Sequence, residues 1–389
     1  SQAAHAPQPK QSDVNMPTPT SSLHTKWRWR KRLLALALAL PLLTACVGAV
    51  GVIAPGNAYA DKGSAAQPSC QTLAANAADS SRCNAKTGDL PTVTLAELHP
   101  TQAALGYDAV RYRLGRYHAA ISKDRINQRF NDWCQANGQG DAASAQPHAS
   151  LQNPESFTCQ LPLGQETRAS LADMKTAVVG PAGKLYLTDG HHTMSAFYES
   201  EGAQVRVRVR IVGNFSHMHE DAFWRSMQRL QWAWRHDAND QAIAPEQLPQ
   251  SMALKQFGND PYRAALYFAR GIGYDKSATS PPFQEFYWGR WLRAQLQLGA
   301  QMQACQSNDV PACLALIEQI TRAQVALPDT ALVASNKTAV ELGKLPAWNK
   351  GKDADVGTVG KLRQPYDAAK PGKLAYLMQY MQSLAPGLP

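Results

Sequence analysis

Hydrophobic positions change period along this 389-residue chain. Residues 93–95, 174–179 and 184–188 are short apolar runs that predict strands. Pro181-Ala182-Gly183 between the last two predicts a hairpin turn. Residues 205–211 alternate strictly, which predicts one strand with Val205, Val207, Val209 and Ile211 on its buried face. The opposite row, Arg206, Arg208 and Arg210, reads as a solvated sheet face or as an anion-binding surface. Helical spacing appears over 109–120 and 123–136, and residues 137–160 read as a loop. From about His219 onward helical spacing dominates, over 220–234, 261–270, 283–303, 311–320 and 372–384. Asp309 is placed to cap the fourth of these. The Trp, Phe and Tyr stripe on these helices reads as core. The pattern predicts an α+β chain, with a small mixed-sheet domain at 91–215, a helical region at 216–345 and a tail with a last helix at 346–389.

The first 60 residues follow a different rule. Lys26-Trp27-Arg28-Trp29-Arg30-Lys31-Arg32 precedes an uncharged apolar run from Leu33 to Leu43, the order of an export signal. Three ends fit it. Leu43-Thr44-Ala45-Cys46 resembles a bacterial lipobox, which would lipidate Cys46. Ala58-Tyr59-Ala60 is a small-x-small cleavage site. An uncleaved apolar helix from Leu33 to about residue 54 would just span a bilayer. All three place residue 61 onward outside the cytoplasm, in the periplasm or attached to the outer membrane as a lipoprotein. The polar, Pro-rich residues before Met16 read as an upstream extension.

Cysteine use agrees with export. Of seven cysteines, setting Cys46 aside leaves an even number in sequential near pairs: Cys70/Cys83, Cys134/Cys159 and Cys305/Cys313. Local disulfides are the simplest arrangement, and no C-x-x-C suggests zinc. The first pair staples residues 61–90, which read as a tether. The net charge of +9 is mostly a leader effect. Residues 1–45 contribute +5 and leave +4 for the remainder, weak support for a nucleic-acid-coating protein.

The chemistry concentrates at Leu185-Tyr186-Leu187-Thr188-Asp189-Gly190-His191-His192-Thr193. An apolar strand, a glycine turn and a helix start make an anion-binding layout, because the first amides of a helix lack partners and sit at its positive end. Two imidazoles add proton transfer near neutral pH, and His192 is the one expected to face the ligand. Asp189 can cap the helix, orient a histidine or ligate a metal. His217 and His219 share a face of an extended segment and could join Asp189 around a divalent ion. His99, His118, His148 and His236 are isolated. Tyr107, Arg111 and Lys123 are possible phosphate donors.

Residues 91–212 resemble the ParB/sulfiredoxin superfamily, specifically its ParB-like nuclease subfamily. The matching residues are Leu95, Leu98, Pro100-Thr101-Gln102, Gly106-Tyr107, Gly180-Pro181, Gly183 and Leu185 through Thr193. Asp260-Pro261-Tyr262-Arg263 and Pro282-Phe283-x-Glu285-Phe286-x-Trp288 look like that subfamily's helical part. The resemblance implies that Gly190, His191, His192 and Thr193 meet a phosphate-bearing small molecule or nucleic acid; Gln102 and Lys123 are further candidate substrate-binding residues. His191 stands where sulfiredoxins carry their cysteine and Thr193 where they carry arginine, which excludes that activity. Free-serine kinases of the superfamily share Asp189 to His192. No helix-turn-helix follows, so no chromosome-partition partner is expected. Two function classes remain. One is a phosphohydrolase or nuclease using His192, His191 and Asp189, with Mg²⁺ as a possible cofactor. The other is a non-catalytic envelope protein that keeps the fold.

Overall fold

The computed structural model describes residues 68–119, 125–277, 279–305, 309–349 and 357–384. The basic and apolar leader, the Ala58-Tyr59-Ala60 site, Cys46 and Lys123 lie outside the described residues.

The fold is α+β. Its main sheet has four short strands. Thr176–Val179 pairs antiparallel with Leu185–Leu187 across the expected hairpin, and parallel with Arg210–Asn214. Leu98–His99 runs parallel to Leu185–Leu187 on the other side. The hairpin turn is a single 3-10 turn, Pro181–Gly183, in which Ala182 and Gly183 both have positive φ. A Cβ on Gly183 would lie 2.0 Å from the Asp79 carbonyl oxygen, so glycine is the residue that admits the Ala77–Arg82 helix there. Residues 68–90 are therefore docked rather than loose. Arg82 bridges Asp79 and Glu97, and the Gly88 amide donates to Ile211.

The alternating segment 205–211 is divided between two sheets rather than forming one strand. Arg206–Arg208 pairs antiparallel with Thr92–Thr94, and Arg210–Asn214 joins the main sheet. The amides show the cause: Val209 donates to Pro91 on one edge and Arg210 donates to Lys175 on the other. The burial pattern holds throughout, with Val205, Val207, Val209 and Ile211 completely buried. Arg208 is taken by Glu166 at 2.7 Å and Arg206 faces solvent.

The helices also have local reasons. Asp260 accepts from the amides of Tyr262 and Arg263 and, with Pro261 in the first turn, starts the Pro261–Ala269 helix. Asp309 caps Val310–Ala326 as expected. The span 220–234 stops at Arg229, since Gln231 adopts φ 57°. The span 283–303 breaks after Gln295, where Leu296 turns extended, and resumes as a 3-10 segment at Gly299–Gln303. The loop 137–160 contains a small antiparallel pair, Ala142–Ala145 with Phe157–Cys159. All three cysteine pairs are at bonding distance: Cys70–Cys83, Cys134–Cys159 and Cys305–Cys313.

One core lies between the main sheet and the Tyr107–His118 and His191–Glu201 helices. A second, centred on Phe268, Tyr274 and Trp288, belongs to the C-terminal helices. The two are stitched together. Ala104–Leu105 pairs with Gly258–Asn259, and Lys373–Leu384 packs on Tyr107–His118. The cleft described next is lined from both halves.

Candidate functional site

The hairpin's second strand leads through Thr188-Asp189 to Gly190, which holds φ 100° and starts the His191–Glu201 helix. Glycine is needed there on two counts. The left-handed backbone disfavours a side chain, and a Cβ would sit 2.5 Å from Lys175 Cγ. The amide of Met194 returns to the Gly190 carbonyl, while no protein hydrogen bond engages the amides of His191, His192 and Thr193 among the described residues. Gly190, not Asp189, is the N-cap, so the expected capping by the Asp189 carboxylate is not formed. Asp189 is exposed at the mouth of the cleft.

Both imidazoles face back into the protein through Nε2. His191, 2% exposed, accepts the Thr101 amide there at 3.0 Å. The Thr101 hydroxyl donates instead to the Leu187 carbonyl, 2.6 Å away. His192 Nε2 accepts the Gly106 amide at 3.2 Å. An imidazole that accepts through Nε2 carries its proton on Nδ1 when neutral. Burial drives His191 down to about 3, with Arg263 adding to the effect and Asp189 opposing it. Burial, then Arg263 and Arg113, drives His192 well below the usual imidazole value. The expected division, one ring on the ligand and one on the backbone, is replaced by two rings that each clamp segment 101–106 to the helix start. Neither has a free lone pair with which to act as a base. His191 Nδ1 is buried without a protein partner, an N–H left for an acceptor.

These residues open onto a cleft of about 450 Å³. Five cationic side chains line it, Arg113, Lys175, Arg263, Arg270 and Lys276, against two carboxylates, Asp189 and Glu285. Arg263 is buried, lies 3.8 Å over the Phe286 ring and reaches Gln102 Oε1 at 3.5 Å. Arg270 pairs with Glu285. Burial pushes the Glu285 carboxyl up, but Arg270 and Arg263 outweigh it and hold it at about 2. Burial lowers Lys175, with Asp189 pulling the other way. A second helix, Gln284–Gln295, begins at the cleft from Phe283, a bulky residue at φ 61°.

The sequence-nominated set is thus partly gathered. Asp189, Gly190, His191, His192, Thr193 and Gln102 all line the cleft. Tyr107 does not, since its hydroxyl is spent on the carbonyl of Phe257 at 2.6 Å, and Arg111 pairs with Asp108. His217 lies in a separate depression beside Cys70 and Cys83. Among the described residues no three His, Cys, Asp or Glu side chains gather around a metal position, so the divalent site suggested for Asp189, His217 and His219 is not formed. Of the cleft's own carboxylates, Glu285 is already held by Arg270, which leaves Asp189 as a single candidate ligand for Mg²⁺. The isolated histidines stay apart from the cleft. Sequence reasoning missed the arginines. Their signal was present: Arg263 interrupts the otherwise apolar face of Pro261–Ala269 and is buried.

A family model described as "Putative ParB-like nuclease" matches residues 91–294. No curated protein matches the chain. Among solved structures, protein Atu1540 from Agrobacterium tumefaciens is similar, with 20% identity over 63% of this chain and 97% of that one and a TM-score of 0.42. The matched span carries the hairpin, the glycine-led helix start, both imidazoles and the buried arginine, and over that span this chain belongs to the ParB-like nuclease family.

Proposed function

We propose that this protein binds a phosphate-bearing ligand, a nucleotide or a nucleic-acid strand, in the cationic cleft, and that it acts there as a nuclease-like phosphohydrolase outside the cytoplasm. One observation carries the reading. The free amides at the start of the His191–Glu201 helix open onto the same cleft as Arg263, Arg113 and Arg270. Helix-start amides and guanidinium groups are the two donor types that best match phosphate oxygens. Arg263 and its neighbours stand in for the arginine that Thr193 replaces in the motif. The imidazoles contribute as neutral N–H donors and as clamps. Gln102, Thr193 and Asp189 complete the polar lining. The extracellular part of the reading rests on the three disulfides, which an oxidising compartment forms, and on the leader's pattern. Hydrolysis also suits a compartment without a nucleoside triphosphate supply.

A second reading has its own support. With both Nε2 atoms on backbone amides, the cleft lacks an imidazole base. A protein that binds phosphate esters without turning them over would show this arrangement.

Titration calorimetry with a nucleoside 5′-monophosphate and with a short single-stranded oligonucleotide tests the binding claim. Losing one charge-assisted contact in Arg263→Gln is worth roughly 1.5–3 kcal/mol, about 10- to 150-fold in affinity. Affinity for the oligonucleotide should also fall as salt rises. Absence of binding, or equal binding by Arg263→Gln, overturns the reading. Binding without hydrolysis of a phosphodiester selects the second.

A further inference from the structure

The proposed hydrolysis needs a nucleophile, and the two imidazoles do not supply one. Both imidazoles are engaged through Nε2. Glu285 is paired with Arg270. Besides the exposed Asp189 carboxylate, Tyr267 is a cleft-lining group with nucleophilic chemistry. It lies on the Pro261–Ala269 helix one turn after Arg263, and it lines the same cleft. Three cations surround its ring: Lys373 Nζ at 4.5 Å, the Arg113 guanidinium at 5.2 Å and that of Arg270 at 5.8 Å from the centroid. They come from three separate parts of the chain. No carboxylate makes a hydrogen bond to the Tyr267 hydroxyl, nor does any other protein group among the described residues. Neighbouring tyrosines differ: Tyr117 donates to Asp132 and Tyr274 donates to the Leu266 carbonyl.

We propose that Tyr267 is the cleft's nucleophile, attacking the phosphorus of a bound phosphodiester to form a phosphotyrosyl intermediate. The step rests on the phosphate-binding reading above. The phenolic proton leaves to solvent. A bond forms from Oη to phosphorus while the bond to the departing alkoxide or phenoxide breaks, and that oxygen takes a proton from water. Water then attacks the same phosphorus, releasing a phosphomonoester and restoring the tyrosine. No metal or redox partner enters the balance. The surroundings favour the phenolate. Burial pushes the Tyr267 hydroxyl up, but Arg113, Lys373, Arg270 and Arg116 together bring it below the ordinary tyrosine value. The facing Tyr112 has its ring 6.0 Å away, and burial pushes its hydroxyl upward.

The test uses bis(p-nitrophenyl) phosphate and the intact, disulfide-bonded protein. The expected result is a burst of one p-nitrophenolate per chain and a p-nitrophenyl phosphate adduct mapped by mass spectrometry to Tyr267. Both are lost in Tyr267→Phe, which still binds nucleoside monophosphate. An ultraviolet titration, wild type minus Tyr267→Phe, should show one phenol ionising below pH 10, moving upward in Arg113→Met. If Tyr267→Phe fails to fold, the mapped adduct in the wild type decides alone. Turnover retained by Tyr267→Phe, or an adduct on another residue, overturns the proposal. Nucleotide binding with neither burst nor adduct overturns it too, and leaves the phosphate-binding reading standing. Absence of nucleotide binding removes that reading first.

Discussion

The claim that His191 is a neutral clamp can be tested through stability. Take the variant His191→Gln and compare unfolding at pH 7 and pH 5. In the folded chain burial holds the imidazole at about 3, against 6.5 for an ordinary histidine. Below pH 6.5 the unfolded chain therefore binds a proton that the folded chain refuses. The stability contributed by a neutral, buried ring is complete above 6.5. It drains away as pH falls, until the folded ring itself protonates near 3. Integrated from pH 7 to pH 5, this costs about 2 kcal/mol for the one ring. His192 is displaced in the same direction and adds to the loss, but it remains in the variant and cancels in the comparison. Guanidinium unfolding followed by tryptophan fluorescence, with disulfides intact, gives both free energies. The wild type should lose about 2 kcal/mol more than His191→Gln between the two pH values. Equal losses would show that His191 ionises normally, and would return it to the role of acid or base.

Three further outcomes follow from the packing. Gly190→Ala must place a side chain at φ 100° against Lys175, so it should cost about 1–3 kcal/mol and weaken ligand binding with it, read by thermal melt and calorimetry. Arg270→Met strands the Glu285 carboxylate. Since Arg270 is itself a third exposed, the loss should be about 2 kcal/mol rather than that of a fully buried pair, and raising the acid content of the buffer should partly relieve it. Removing the Cys134–Cys159 bond, which closes a separation of 25 residues, should lower stability by roughly 3.5 kcal/mol in a chain-entropy account, measured with a Cys134→Ser, Cys159→Ser double variant.

Local features of the fold were readable because local chemistry causes them. The hairpin around Pro181–Gly183, the glycine at the start of the His191–Glu201 helix, the Asp309 cap and the three cysteine pairs each depend on neighbours in sequence. The two sheets sharing segment 205–211 were not readable. Alternation reports which face is buried, and says nothing of which strand lies at each edge. The site followed the same division. The sequence named the amides and the two imidazoles. It missed that Thr101 and Gly106 would claim both Nε2 atoms, since those contacts span 90 and 86 residues. It missed the cationic wall as well, because Arg113, Arg263 and Arg270 converge only when the C-terminal helices fold against the sheet.

The most direct measurement is a structure of the protein with a nucleoside 5′-monophosphate bound. Its phosphate should lie against the amides of His191, His192 and Thr193, within reach of the Arg263 guanidinium and of the unpartnered Nδ1 of His191. Phosphate bound elsewhere, for instance in the groove beside Trp133 and Leu163, with the helix start left bare, would contradict it.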